Sequence, residues 1–402
     1  MSKLSPTTPD QSFAAQWARF IIRFRWFVIL ASLIAVGFAA TGASKLSILT
    51  NYRVFFSEQN PELRAFDKFQ ATYTKTDNLF FLVRPKDGDV FTRKTLAAIE
   101  DLTEQGWQIP FSTRVDSITN FQHTYANGDD LVVEDLIENA ASLDAAYIAE
   151  RKTIALNEPL IRDLLVTADG RAAGVNVIIQ LPGKDISELP SAYGAAQKTR
   201  EAIMARHPDV EIYVSGLVAL NNAFAEEAPK AFASLLPFMF LAIFLLSVLF
   251  FRSITATAAM LFVVVMSTVA AMGIAGYLGL GISPVSAAAP IVILTLAVAD
   301  SVHIMMAFRD AQGAGMERLE ALVEAIRTNF LAVSVTSITT IIGFLALNFS
   351  DAPPFRALGN MSALGIAAAW ILSLTLFPAL ASFIKLKPGK GPKMQKAMSA
   401  FA

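Results

Sequence analysis

The stretch RSITATAAMLFVVVMSTVAAMGIAGYLGLGISPVSAAAPIVILTLAVAD runs from Arg252 to Asp300 with no charge between its two ends. A helix crossing the hydrocarbon core needs about 20 mainly apolar residues, because each residue rises ~1.5 Å and the core is ~30 Å thick. The uncharged run is more than twice that length, so it holds two membrane spans. The break between them falls at Gly279-Leu280-Gly281-Ile282-Ser283-Pro284, where two glycines and a proline disfavour continuous helix and supply a turn.

Other charge-free gaps extend the same reading in both directions. Arg25 to Lys45 encloses an apolar helix at 26–43, and Lys230 to Arg252 encloses a second. The fourth span continues past Asp300 to Phe308, just before Arg309. Arg327 to Asp351 and Arg356 to Lys385 enclose a fifth span near 331–349 and a sixth near 358–384. The first span could alternatively be a signal peptide, since Arg23 and Arg25 precede it and Ala40-Thr41-Gly42-Ala43 loosely resembles a cleavage site. Its apolar stretch is longer than the roughly 7 to 15 residues usual there. Arg19, Arg23 and Arg25 before the first span, Arg252 between the second and third, and Lys385, Lys387, Lys390, Lys393 and Lys396 after the sixth place both termini in the cytoplasm by the positive-inside rule. Residues 1–25 then form a cytoplasmic N-terminus, 230–384 a five-helix bundle and 385–402 a basic cytoplasmic tail.

Composition agrees and excludes several classes. Of 402 residues, 54% are hydrophobic and the net charge is -1, so no basic excess points to nucleic acid. There is no cysteine, which removes disulfides, thiolate nucleophiles and Cys-ligated zinc together. The three histidines, His123, His207 and His303, show no paired spacing, and no metal or other cofactor is expected.

Between spans one and two, residues 44–229 have ordinary soluble composition and form an extracytoplasmic domain. Asp77 to Arg84 reads as a strand, Thr92 to Gln105 as a helix with Leu96, Ile99 and Leu102 on one face, and Thr113 to Ile118 as a returning strand. A second such unit follows, with strands at 173–181 and 211–215 around a helix at 187–206. Two β-α-β units suggest a ferredoxin-like α+β fold. Between them, 120–169 reads as largely helical, with Leu131, Val132, Leu136 and Ile137 spaced for a buried face. Asp116, His123, Asp129 and Asp130 are most simply turn, cap and surface residues. On the cytoplasmic side, 313–330 reads as an amphipathic helix with Leu319, Leu322, Val323, Ile326 and Phe330 along one face, packing on the membrane surface or under the bundle.

One ionisable pair stands within the hydrocarbon region. Asp300 lies well inside the fourth span, where an aspartate costs at least about 2.5 to 3.5 kcal/mol on insertion scales and usually marks an ion or proton path. His303 is three residues on, within reach on the same helix face. Burial favours the neutral form of a carboxyl and of an imidazole alike, so the pair could exchange a proton. The competing reading is that Asp300 fixes packing, with His303 as its hydrogen-bond partner. On the fifth span Ser334, Thr336, Ser337, Thr339 and Thr340 cluster near one level, and each either reaches Asp300 or bonds back to its own helix. Thr336, Thr339, Thr340 and Ser301, beside Asp300, are the candidate relay neighbours. Gly273, Gly276 and Gly279, and Gly365 with Ala369, read as close-packing surfaces.

With those residues in place, the chain resembles the hydrophobe/amphiphile exporters of the resistance-nodulation-cell division superfamily, relatives of mycobacterial lipid exporters and of sterol-sensing-domain proteins. The resemblance is carried by the layout of one span, a large external domain and five more spans. It is carried also by Leu296-Ala297-Val298-Ala299-Asp300-Ser301-Val302-His303, by Thr336 to Phe344, and by the external pieces Tyr52 to Ser57 with Asn60-Pro61 and Arg114 to Asn120. It implies a porter-type external domain in a bacterial inner membrane protein, with the large domain on the periplasmic or extracellular side. It implies proton-coupled export of hydrophobic, amphiphilic or lipidic cargo, with protons as coupling ion and Asp300 in the proton-carrying position. His303 is similar to a histidine of this branch. Members usually carry two such halves, so the resemblance also implies a second half or a homo-oligomer. A non-transporting accessory, scaffold or sterol-sensing-like receptor of the same architecture is the alternative. No Ser-His-Asp set, phosphate-cradling loop or metal cluster points to an enzyme.

Overall fold

The computed structural model describes residues 12–49, 51–73, 77–182, 185 and 187–385. The basic tail beyond Lys385, with Lys387, Lys390, Lys393 and Lys396, and the first eleven residues of the N-terminus lie outside them. The chain divides into two compact units, one made of residues up to Ser57 and from Glu227 onward, the other of Glu58–Glu226.

The first unit opens with α1 (Phe13–Arg23), capped by Ser12, whose Oγ accepts from the Ala15 amide. Phe24 separates it from α2 (Arg25–Ala40), which continues as a 3₁₀ turn to Lys45. The second unit contains α3 (Pro61–Thr72), β1 (Asn78–Pro85), α4 (Arg93–Gly106), β2 (Ser112–Asp116), β3 (Gln122–Asn127), β4 (Asp130–Asp135), α5 (Ala145–Asn157), β5 (Ala173–Ile179), α6 (Glu188–Arg206) and β6 (Val210–Ser215). Helix α7 (Leu217–Phe251) begins there and ends in the first unit, which is completed by α8 (Ile254–Tyr277), α9 (Ala289–Gly313), α10 (Arg318–Leu345), α11 (Pro353–Leu374) and α12 (Leu376–Ala381).

Six helices are long and apolar enough to cross a membrane: Arg25–Lys45, Ser234–Phe251, Ile254–Tyr277, Ser286–Gly313, Arg318–Phe349 and Pro353–Ala381. The protein is therefore a multi-pass membrane protein. Large apolar side chains exposed along these helices, such as Phe27, Leu30, Ile34, Leu245, Leu249, Leu331 and Ile342, have lipid as their natural solvent. The α11 span is the most enclosed, with 61% of its apolar window buried against 11% for α7, so α11 is central and α7 peripheral. Contacts within this unit also sort the helix ends. The amide of Leu49 donates to the carbonyl of Ile282 at 2.7 Å, and the Ile282 amide donates to Ser47 at 2.7 Å, bringing the exit of α2 to the α8–α9 turn. Conversely, Trp17 Nε1 donates to the Leu374 carbonyl at 2.9 Å, joining α1 to the end of α11. Both agree with spans that alternate in direction.

Close packing between α2 and α8 depends on glycine, as expected for Gly273 and Gly276. A Cβ on Gly273 would lie 1.9 Å from the Ala39 carbonyl oxygen, and one on Gly276 1.9 Å from that of Gly42. Gly365 likewise admits Ile293 of α9. Gly279 differs from the expectation, because it has open space around it and a φ of +69°, so it turns the chain instead of packing helices. The amphipathic stretch 313–330 is also not a separate helix. α9 runs to Gly313, a short turn with Gly315 at φ +91° follows, and residues 318–330 are the first turns of α10. They bury Ala321, Leu322, Val323, Ala325 and Ile326.

In the second unit all six strands and helices of the two expected β-α-β stretches are present. Thr92 caps α4 by accepting from the Thr95 amide, and alternation along β1 buries Leu79, Phe81 and Val83. The four-stranded sheet is antiparallel in the order β2-β5-β1-β6, with Val115 opposite Val177, Phe80 opposite Asn176 and Leu82 opposite Tyr213. Its buried face meets Leu96, Ile99 and Leu102 of α4 and Ala192, Ala196 and Ile203 of α6, each large side chain contributing roughly 1.5 to 3 kcal/mol through burial. The segment 120–169, expected to be largely helical, instead contains the β3–β4 hairpin before α5. Asn127-Gly128-Asp129-Asp130 forms its turn with Gly128 at φ +64°. Leu131 is 72% exposed on that hairpin, whereas Leu136 and Ile137 beyond it are buried.

Candidate functional site

Helix α9 carries Asp300 to a point where α10 and α11 also converge. Asp300 is 7% exposed, and its Oδ2 accepts a hydrogen bond of 3.0 Å from Ser337 Oγ on α10. One residue further along α9, buried Ser301 lies 3.5 Å, Oγ to Oγ, from Ser373 on α11. Ser334 closes the third side, accepting from Trp370 Nε1 of α11 at 3.1 Å. Three helices thus exchange polar contacts at one level of an otherwise apolar bundle, where each contact replaces a hydrogen bond to water that lipid cannot offer.

A cavity of about 90 Å³ adjoins the carboxylate, lined by Leu296, Ala297, Thr336, Thr340, Ile366 and Ala369 together with Asp300 and Ser337. One water occupies ~30 Å³ of liquid, so the space is on the scale of a few molecules. Among the fifth-span hydroxyls, Ser337 is the one that reaches Asp300. Thr336 and Thr340 line the cavity, yet their hydroxyls donate to their own helix, to Ala332 and Val333 and to Thr336. Thr339 bonds back to Val335 and Thr336 and is exposed, because a residue two positions from Ser337 points about 200° around the helix.

Of the pair expected on α9, the structure buries Asp300 and leaves His303 at the helix surface, near enough to act on the carboxylate through charge. His303 is exposed and makes no hydrogen bond to Asp300. Three residues turn a helix by about 300°, leaving His303 roughly 60° off the Asp300 direction, in keeping with its exposed position. A second buried charge comes instead from Arg309, which the sequence reading used only as the end of a span. Its side chain is 4% exposed and Nη1 donates to the Phe250 carbonyl at 2.6 Å. That bond satisfies a carbonyl in the last turn of α7, which has no partner within its own helix. A basic residue in the last turns of a span was the available signal.

The second unit holds no group of three or more metal-ligating residues among the described residues. Asp116 accepts from Arg114 Nε at 2.7 Å, and His123 stacks on Tyr125. His207 Nε2 lies 3.1 Å from Asp101, which also receives Arg206, tying α6 to α4. A cleft of about 790 Å³ lies over the sheet face opposite the helices. Phe80, Trp107, Leu160 and Leu164 give it apolar walls, and Asn78, Asn176, Arg114 and Asp116 give it polar ones.

With this geometry in hand, the comparison with known proteins is decisive for the family. The MMPL family profile matches residues 56–396. The chain belongs to the MMPL family. MMPL proteins are membrane transporters and not enzymes, of the resistance-nodulation-cell division type that the layout resembles. MJ1562 of Methanocaldococcus jannaschii, whose name places it in a membrane and says no more, is 23% identical over 362 residues, covering 88% of this chain and 89% of that protein. The siderophore exporter MmpL5 of Mycobacterium tuberculosis is 27% identical over 228 residues, covering 56% of this chain and 23% of MmpL5. The heme uptake protein MmpL11 of the same organism is 28% identical over 180 residues, covering 44% of this chain and 19% of MmpL11. The match thus spans nearly all of MJ1562 and about a quarter or less of the two MmpL proteins.

Proposed function

We propose that this chain is a half-unit of a proton-coupled secondary transporter that exports hydrophobic, amphiphilic or lipidic molecules across or out of a bacterial inner membrane. The observation that carries the reading is Asp300. A carboxyl group enclosed between three membrane helices, hydrogen-bonded across to one serine and bordered by a small cavity, costs more than a neutral residue that would serve packing equally well. Protonation removes its charge and turns it from acceptor into donor, which changes its bond with Ser337 and hence the fit of α9 against α10. The positive-inside rule supports cytoplasmic termini, with the second unit on the periplasmic or extracellular side. Its strand order, with each helix joining strands that are not neighbours, supports a ferredoxin-like porter domain. The cleft beside Trp107 offers amphiphilic cargo an apolar wall and a hydrogen-bonding floor. His303, at the surface of α9, is the second titrating group, and Ser301, Thr336 and Thr340 are relay neighbours through the polar level and the cavity. A second half or a second copy completes the transporter.

The test is proton flux in liposomes carrying the reconstituted full chain, alone and with an added partner half, under an imposed pH gradient. Wild type is expected to conduct protons and Asp300→Asn to abolish the flux, while Asp300→Glu retains part of it. Equal flux in wild type and Asp300→Asn, with both folded, would make Asp300 a packing residue and favour a scaffold or receptor.

A further inference from the structure

Helix α1 presents a continuous aromatic stripe that the transport reading does not use. Phe13, Trp17, Phe20 and Phe24 recur at i, i+4, i+7 and i+11, which is one face of a helix. Their rings form a ladder, with centroids 6.3 Å apart from Phe13 to Trp17, 6.3 Å from Trp17 to Phe20, and 5.0 Å from Phe20 to Phe24. The opposite face is small and buried, through Ala15 and Ala18 with Ile21 at its side, and it is held against α10 and α12. Phe13, Phe20 and Phe24 remain 68%, 48% and 44% exposed.

What covers this stripe follows from the chain itself. Phe24 leads directly into the first span, whose exposed Trp26, Phe27, Leu30 and Ile34 face lipid. An eleven-residue helix is about 16 Å long, too short to cross the core, and α1 packs against α10 and α12, which puts its stripe beside the start of the first span, where headgroups meet the upper acyl chains. Charge selects which lipid. The acidic groups of neighbouring α10 have cations of their own: Arg19 reaches Glu320 at 4.0 Å, and Arg327 pairs with Glu324 at 2.6 Å. Arg23 makes no ion pair among the described residues and sits 5.7 Å from the Phe24 ring, and Arg25 sits 4.4 Å over the Phe383 ring. Two guanidinium groups stacked on aromatic rings beside an apolar stripe form the arrangement by which surface helices bind anionic leaflets.

We propose that α1 is an interfacial helix that binds anionic phospholipid, with the ring ladder among the upper acyl chains and Arg23 and Arg25 on the headgroups. The test uses the full chain in nanodiscs, with Trp26, Trp107 and Trp370 replaced by Phe so that Trp17 alone reports. The quencher is acyl-brominated lipid, carried at equal total fraction either on phosphatidylglycerol or on phosphatidylcholine. Trp17 emission is expected to fall with both, and about twofold more with the anionic carrier. That preference should vanish in the double variant Arg23→Gln/Arg25→Gln and at roughly 0.5 M salt, where screening is nearly complete over the distances involved, and should survive in Arg23→Lys/Arg25→Lys. Equal quenching by both carriers in wild type would overturn the anionic preference. No quenching by either would mean that protein covers the stripe, and would overturn the proposal as a whole.

Discussion

Two clusters of buried hydroxyls, one in each unit, look alike in composition and differ in one atom group. In the second unit Thr103, Ser117 and Thr119 close on themselves: Thr103 Oγ1 lies 2.9 Å from Ser117 Oγ, Ser117 and Thr119 are 2.7 Å apart, and Asn120 Oδ1 accepts from the Ser117 amide at 2.8 Å. Every member is neutral, and the result is a locked corner between α4 and the end of β2. In the membrane unit three separate contacts, Ser337 to Asp300, Ser301 to Ser373 and Trp370 to Ser334, join three helices, and one of them holds a carboxyl. A closed neutral network has one state, whereas a contact made by a carboxyl has two that differ by a proton. On the proposed function the first supplies stability and the second a switch.

That contrast is breakable by substitution. The largest effect is expected at Asp300→Asn, which keeps shape and removes ionisation. Cargo and proton movement should be lost outright in a flux assay, with the thermal midpoint nearly unchanged. Thr103→Val should do the reverse, destabilising the second unit by about 1 to 3 kcal/mol as buried polar groups lose their partner, measured by denaturant unfolding, with turnover per folded molecule intact. Ser337→Ala removes the single cross-helix donor to Asp300. It is expected to slow transport by about tenfold, the equivalent of ~1.4 kcal/mol, and to alter its pH profile, with a thermal midpoint close to wild type. The smallest effect belongs to Ser373→Ala, whose 3.5 Å contact with Ser301 is at the limit of a hydrogen bond, so both stability and rate should stay within measurement of wild type. If Ser337→Ala and Thr103→Val behaved alike, the distinction between switch and lock would fail.

Much of this was legible in the sequence because membrane spans are written as the absence of charge. The uncharged run from Arg252 to Asp300 could only be two spans, and Asp300 stood out as the ionisable group that no boundary explained. What was not legible depended on direction within an element. Spacing puts His303 near Asp300, yet the 60° between them decides which side chain is buried, and that depends on where α10 lies. Leu131, Val132, Leu136 and Ile137 fit a helical face and a hairpin with its exit equally well. The left-handed Gly128 settles it, and that is a property of the turn and not of the apolar pattern. The basic residues Arg19, Arg23 and Arg25 mark α1 as a flank of the first span, while the helical spacing of Phe13, Trp17, Phe20 and Phe24 in the same stretch carries its amphipathic signal. Arg309 showed that a charge ending a span can itself be buried, when it finds a carbonyl in the last turn of a neighbouring helix.

The most direct measurement is infrared difference spectroscopy of the reconstituted chain across a pH titration, following the carbonyl stretch of a protonated carboxylic acid. The account predicts a band that appears and disappears reversibly with pH, is absent in Asp300→Asn, and changes position in Ser337→Ala as its hydrogen bond is lost. A spectrum in which no such band distinguishes wild type from Asp300→Asn at any pH would show that Asp300 does not exchange a proton, and would contradict the account at its centre.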